Sequence, residues 1–233
     1  MSVFRSLMLA NAAVDLLTVP LTFTAEEAGA TVTLNVIGIT IPGMHYRMGK
    51  SGLWLPYTAG MMLTLENIGD SCQFWNSEAT LSDNSGMRAS FKLTGKIRAS
   101  GNIQSLLNWR TNSYPFGCFN HLFISQTSLS QMPLIPPVTS MQAYCFNYTF
   151  NNTGIAKAEL PDTALVNNCY HSMFLYCTQL KEIRVHFTAW HENATTNWVN
   201  GVSPTGTFYK PAALPEEYGI SRIPNGWTVV TID

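Results

Sequence analysis

Three cysteines recur at an interval that fixes how much of this chain can fold. Cys118, Cys145 and Cys169 stand 27 and then 24 residues apart, in "CFNHLFISQTSL", "CFNYTFNNTGI" and "CYHSMFLYCTQL". Each is followed by an aromatic residue and, five positions on, by a phenylalanine: Phe123, Phe150 and Phe174. Each segment then has a threonine with Leu129, Ile155 or Leu180 two residues later. Ahead of the second and third copies, Pro137, Thr139 and Met141 match Pro161, Thr163 and Leu165 in their distance from the cysteine.

A repeat of roughly 20–29 residues is one turn of a leucine-rich-repeat-like solenoid. One turn cannot bury its own apolar side, so copies stack and equivalent residues form ladders. Cysteine is small, apolar and readily buried. The spacing therefore predicts a structural ladder of Cys118, Cys145 and Cys169 beside a row of Phe123, Phe150 and Phe174. The same argument disposes of a site in "NNCYHSMFLYCTQL". Cys169, His171 and Cys177 lack the close Cys-x(2–4)-Cys pairs of a structural zinc. A nucleophilic thiol needs a polar, accessible setting, whereas these positions are core. His171 is expected to face solvent. No metal and no cofactor are expected.

Residues 20–98 alternate with the period of strands. "LTFTAEEAGATVTLNV" holds two runs around Glu26–Ala30, and "MHYRMGKSGLWLPYT" two around the turn Lys50–Gly52. "MMLTLENIGDSCQFWN" reads as another strand pair around Asn67–Asp70, and "MRASFKLTGKIRAS" alternates again. Short strands at this spacing predict a small β-sandwich. After the repeats, Gly206–Lys210 and Trp227–Ile232 read as strands of a tail that closes the array.

Charged residues make up 12% of the 233 residues, about half the usual share. The net charge of −1 gives no bulk attraction to nucleic acid. There is no phosphate-binding glycine loop and no basic–aromatic stripe. Five cysteines, an odd number at low density, fit free buried thiols better than a disulfide framework. No run reaches the roughly 18 apolar residues of a membrane span. Residues 1–19 are rich in helix formers and end at Pro20. Their apolar residues Phe4, Leu7, Met8, Leu9, Leu16 and Leu17 read as an arm that packs on a partner, with an uncleaved export signal as the alternative.

The repeat "LPDTALVNNCYHSMFLYCTQL" (residues 160–180) resembles that of the BspA-type (Treponema pallidum-type) leucine-rich-repeat surface proteins of Bacteroides and gut bacteriophages. The segments from Cys118 and Cys145 look like degenerate copies. "PLTFTAEEAGATVTL", "WLPYTAGMMLTLENIGDSCQF" and "SGNIQSLL" resemble the β-module that precedes such repeats, and "NWVNGVSPTGTFYK" and "IPNGWTVV" the C-terminal cap. Where the family has Gly-Cys, this chain has Tyr176–Cys177. The resemblance implies surface recognition and supplies no catalytic residues, so the protein is not expected to be an enzyme.

The expected architecture is mainly β: an N-terminal anchoring arm (1–19), a small β-sandwich module (20–99), a short leucine-rich-repeat-like solenoid of about three degenerate repeats (100–200) and a β C-terminal cap (201–233). The expected function is structural or adhesive, most simply a bacteriophage virion component such as a capsid decoration, head-fibre or tail-accessory protein. Its partners would be other virion proteins, copies of itself, or a host-surface glycan or protein. The alternative is a bacterial cell-surface adhesin or carbohydrate-binding protein. Secondary candidates are the group His186–Trp198, the hairpin Arg47–Trp54 and the loop Asp83–Met87. The sequons at Asn147, Asn151 and Asn193 are read as chance matches.

Overall fold

The computed structural model describes residues 18–82, 87–110 and 112–232. The molecule is mainly β, and its C-terminal part is a β-solenoid of about five turns. The expected arm, with Phe4, Leu7, Met8, Leu9, Leu16 and Leu17, lies outside the described residues, as does most of the loop Asp83–Met87.

The N-terminal part is a sandwich of two sheets. One has the order β10-β8-β1-β6-β3-β4, made of Leu129–Gln131, Ile97–Ser100, Leu21–Ala25, Ser71–Asn76, Met44–Met48 and Leu55–Pro56. The other has the order β5-β2-β7, made of Met62–Leu65, Ala30–Ile37 and Arg88–Thr94. The turn at Lys50–Gly52 is a hairpin, with β3 and β4 antiparallel. The segment around Asn67–Asp70 is not one. It carries the chain from β5 in the small sheet to β6 in the large one. The links β1–β2 and β7–β8 cross between the sheets in the same way. Alternation then buries one face of each strand: Phe23 and Phe74 from the large sheet meet Phe91 from the small one at 4.7 and 5.1 Å between ring centroids.

The solenoid follows. Its long sheet is parallel, in the order β12 (Lys157–Leu160), β13 (Glu182–Val185), β14 (Thr207–Pro211) and β15 (Thr228–Ile232). A second, shorter parallel pair joins β9 (Ser113–Tyr114) to β11 (Ser140–Met141). The tail is therefore more than a cover, because β14 and β15 continue the parallel sheet in register.

The two parts share one hydrophobic core. β10, from the first solenoid turn, runs parallel to β8 of the sandwich, and the Phe91 amide on β7 donates to the Leu122 carbonyl (2.8 Å). At the seam, Pro20 and Leu134 both bridge to Asn102. Gly101 makes this possible: its φ is +72°, and a Cβ there would collide with the Pro20 carbonyl.

Candidate functional site

The turns opposite the long sheet are built by one rule. Within each, alternate amides close tight i−3 bonds, as Asn120 to Gly117, Leu122 to Phe119 and Ile124 to His121. The amides between them reach the next turn: Phe119 donates to Cys145, His121 to Asn147, Phe123 to Thr149 and Ser125 to Asn151, at 2.8–2.9 Å. Every fourth residue takes a left-handed conformation, and these positions stack. One column is His121, Tyr148, Ser172 and Asn197, with φ of 61, 52, 51 and 55°. The next is Ser125, Asn152, Tyr176 and Gly201. Each such non-glycine residue costs backbone energy, and the cross-turn bonds offset it.

Inside, Cys118, Cys145 and Cys169 are fully buried in one column, with Ala194 as its next member. Phe123, Phe150 and Phe174 stack at 5.2 and 6.1 Å, with planes within 20° of parallel. The row extends both ways: Phe91 stacks on Phe123 at 5.4 Å, and Phe174 meets Trp198 at 6.0 Å. The turn Ala194–Gly201 repeats the geometry without the sequence. Phe174 and Tyr176 donate to the Trp198 and Asn200 carbonyls, Val199 stands in the phenylalanine column, and Trp198 follows Leu122, Thr149 and Met173. The sequence signal that could have found this turn is Asn197 and Gly201, four apart, on the left-handed columns.

Burial removes the thiols from chemistry. It raises Cys118 and Cys145 well above the usual thiol range, Cys169 to about 12 and Cys177 to about 11. Cys72 is raised for the same reason. Cys177 instead donates to the Phe150 carbonyl at 2.9 Å. His171, expected to face solvent, is half-buried, and its Nδ1 bonds to Asn147 Oδ1 at 2.9 Å. Burial lowers its pKa, and burial followed by the charge of Arg88 lowers that of His121 to about 4. Among the described residues, no three His, Cys, Asp or Glu side chains are grouped to hold a metal ion, and no helix is long and apolar enough to cross a membrane.

The fold divides the group His186–Trp198: Trp190 and Trp198 meet edge to face at 6.0 Å, while the two histidines bond elsewhere. His186 bonds to Glu159 at 2.9 Å, and His191 accepts from the Asn193 amide in its own loop. Trp198 is buried, with Nε1 donating to the Arg222 carbonyl. Trp190 packs against the core and donates to Pro215. Of the sequons, Asn147 and Asn151 are buried.

Two outward faces carry paired charged and aromatic side chains. On the long sheet, Lys157 meets Glu182 at 3.0 Å, and the Arg184 guanidinium lies 4.2 Å from the Tyr209 ring centre. On the β3–β4 hairpin, Arg47 sits 4.7 Å over Trp54, Trp54 meets Trp75, and Leu53 is 83% exposed. These two faces can bind by shape, stacking and hydrogen bonding. No family model, curated protein or solved structure matches this chain.

Proposed function

We propose that the protein is a non-enzymatic structural and adhesion component of a bacteriophage particle, docked through its N-terminal arm and projecting the sandwich and solenoid outward. The observation that carries this reading is where the chain joins the fold. The Val19 carbonyl accepts from the Asn102 amide (2.8 Å), and Pro20 is bridged into the seam between the two parts. An arm preceding Thr18 is thus tethered to a rigid point, and a load on it passes into both parts at once. The placement on a phage particle rests on the resemblance of residues 160–180 to BspA-type repeats.

The arm's six large apolar residues supply the docking energy. Fully burying side chains of this kind is worth roughly 1.5–3 kcal/mol each before ordering costs. The test is deletion of residues 1–17, which spares Val19. The truncated protein is expected to keep the circular dichroism and melting temperature of the full chain and to lose co-sedimentation with particles. Co-sedimentation at the full-chain level would overturn the anchoring role.

A further inference from the structure

The two ends of the solenoid differ. The sandwich covers the first: β10 pairs with β8, and β7 donates to Leu122 and Gln126 of the first turn. At the other end, β15 has a single strand neighbour among the described residues, β14. The Thr228 amide donates to the Gly206 carbonyl (2.9 Å), and the pairing runs unbroken from Thr207↔Thr228 to Pro211↔Ile232. In a parallel ladder a residue turns its N–H and C=O to the same side, and successive residues alternate. Thr228, Val230 and Ile232 therefore address β14, and Val229 and Thr231 direct both of their backbone groups away from it.

Exposed edges are commonly blunted by charge, proline, a bulge or brevity. β12 carries Lys157 and Glu159, β4 is two residues long with Pro56, and β10 has an irregular register. β15 reads TVVTI, five β-branched residues with none of these devices. On β15 itself Val230 is 37% exposed, and the turn that precedes it leaves Tyr218 52% and Ile220 50% exposed. Ile220 lies on the rung beyond Val199, whose amide donates to its carbonyl (3.2 Å). A solenoid end normally presents a polar outer surface. The nearby carboxylates Glu216 and Glu217 already face Lys210 and Arg222.

We propose that this end is an interface between two copies of the chain, joined by antiparallel pairing of their β15 strands about a two-fold axis at Val230. The register makes the edge self-complementary. With the axis at Val230, Val229 lies opposite the partner's Thr231, and Thr231 opposite the partner's Val229. These are the residues whose backbone groups point outward, so each pair exchanges two hydrogen bonds. Valine and threonine have the same shape, so residues 229–231 read alike in both directions. Val230 meets its own copy at the axis, with no charge brought against like charge. The two long sheets become one. A second copy fits better than an unrelated strand because two-fold pairing needs this match and the chain itself supplies it.

The proposal does not depend on the arm. Light-scattering mass of the full chain should rise with concentration from 25.8 kDa toward twice that value. Thr231→Pro removes one outward amide and leaves the β14 bonds in place. Val230→Lys sets two ammonium groups face to face at the axis. Each should weaken self-association at least about tenfold with circular dichroism unchanged. Deletion of residues 1–17 should leave it intact. If Thr231→Pro proves unfolded, Val230→Lys decides. A full chain that stays monomeric at high micromolar concentration, or a dimer that folded variants retain, overturns the proposal.

Discussion

Burial makes the cysteines structural and gives them a pH signature. The folded pKa of Cys169, about 12, and that of Cys177, about 11, lie above the value of 9.0 for a free thiol. The folded state therefore holds these protons more tightly than the unfolded chain does. That contribution is complete below about pH 9 and is lost as pH rises through the folded values. Urea midpoints should fall between neutral pH and about pH 10.5, and Cys177→Ala should narrow the fall. The thiols of the native protein should resist alkylation and become reactive in denaturant; labelling of Cys118, Cys145 or Cys169 in the native state would contradict the ladder. These residues were legible in the sequence because three copies kept both Cys and Phe. The fourth rung was not, because Ala194 and Val199 fill the same columns with smaller side chains. A shorter side chain suffices there because Trp198, one position away, fills the space beside Phe174.

At the scale of the element, the repeating unit is a turn with a left-handed residue every fourth position. That pattern lives in dihedral angles, and the side chains at those positions vary from Gly117 to Tyr144 and Asn168. It gives a direct prediction at Ser125, which is exposed, has φ of 59° and donates its amide to Asn151. Ser125→Gly relieves the left-handed strain and should raise stability by up to about 1 kcal/mol, after the entropy cost of glycine. Ser125→Val should lower it by about 1–2 kcal/mol. Equal urea midpoints for the two variants would show that the turn does not hold this geometry in solution. The same scale explains why the sequence does not say how the strands on either side of Asn67–Asp70 connect. Alternating strands flanking a Gly-containing turn mark Lys50–Gly52 and Asn67–Asp70 alike. One is a hairpin and the other a corner between sheets, and the difference lies in the partner each strand finds far along the chain. β6 finds β1 and β3, and β5 finds β2. Local pattern carries no record of that choice.

At the scale of the whole molecule, the change from strand alternation to the Cys/Phe repeat near residue 100 suggests two modules, but the packing across that point is continuous. Phe23 meets Phe91, Phe91 stacks on Phe123, and the row runs on through Phe150 and Phe174 to Trp198. Backbone bonds cross the same boundary, from β7 to Leu122 and from β10 to β8. Neither part can lose its structure without exposing the apolar face of the other. Unfolding should therefore be one cooperative event, visible as a single calorimetric transition despite the length of the chain. Phe91→Ala tests this best, because Phe91 belongs to the sandwich by sequence and to the solenoid stack by contact. Removing the ring should cost about 3–5 kcal/mol and shift the whole transition downward in one piece. Two separable modules would answer differently. The solenoid, with its own parallel ladders intact, would melt at its original temperature while the sandwich melted early. A split transition in Phe91→Ala would place the boundary in the energetics, whereas a single shifted one would show that the sandwich is the first rung of the array.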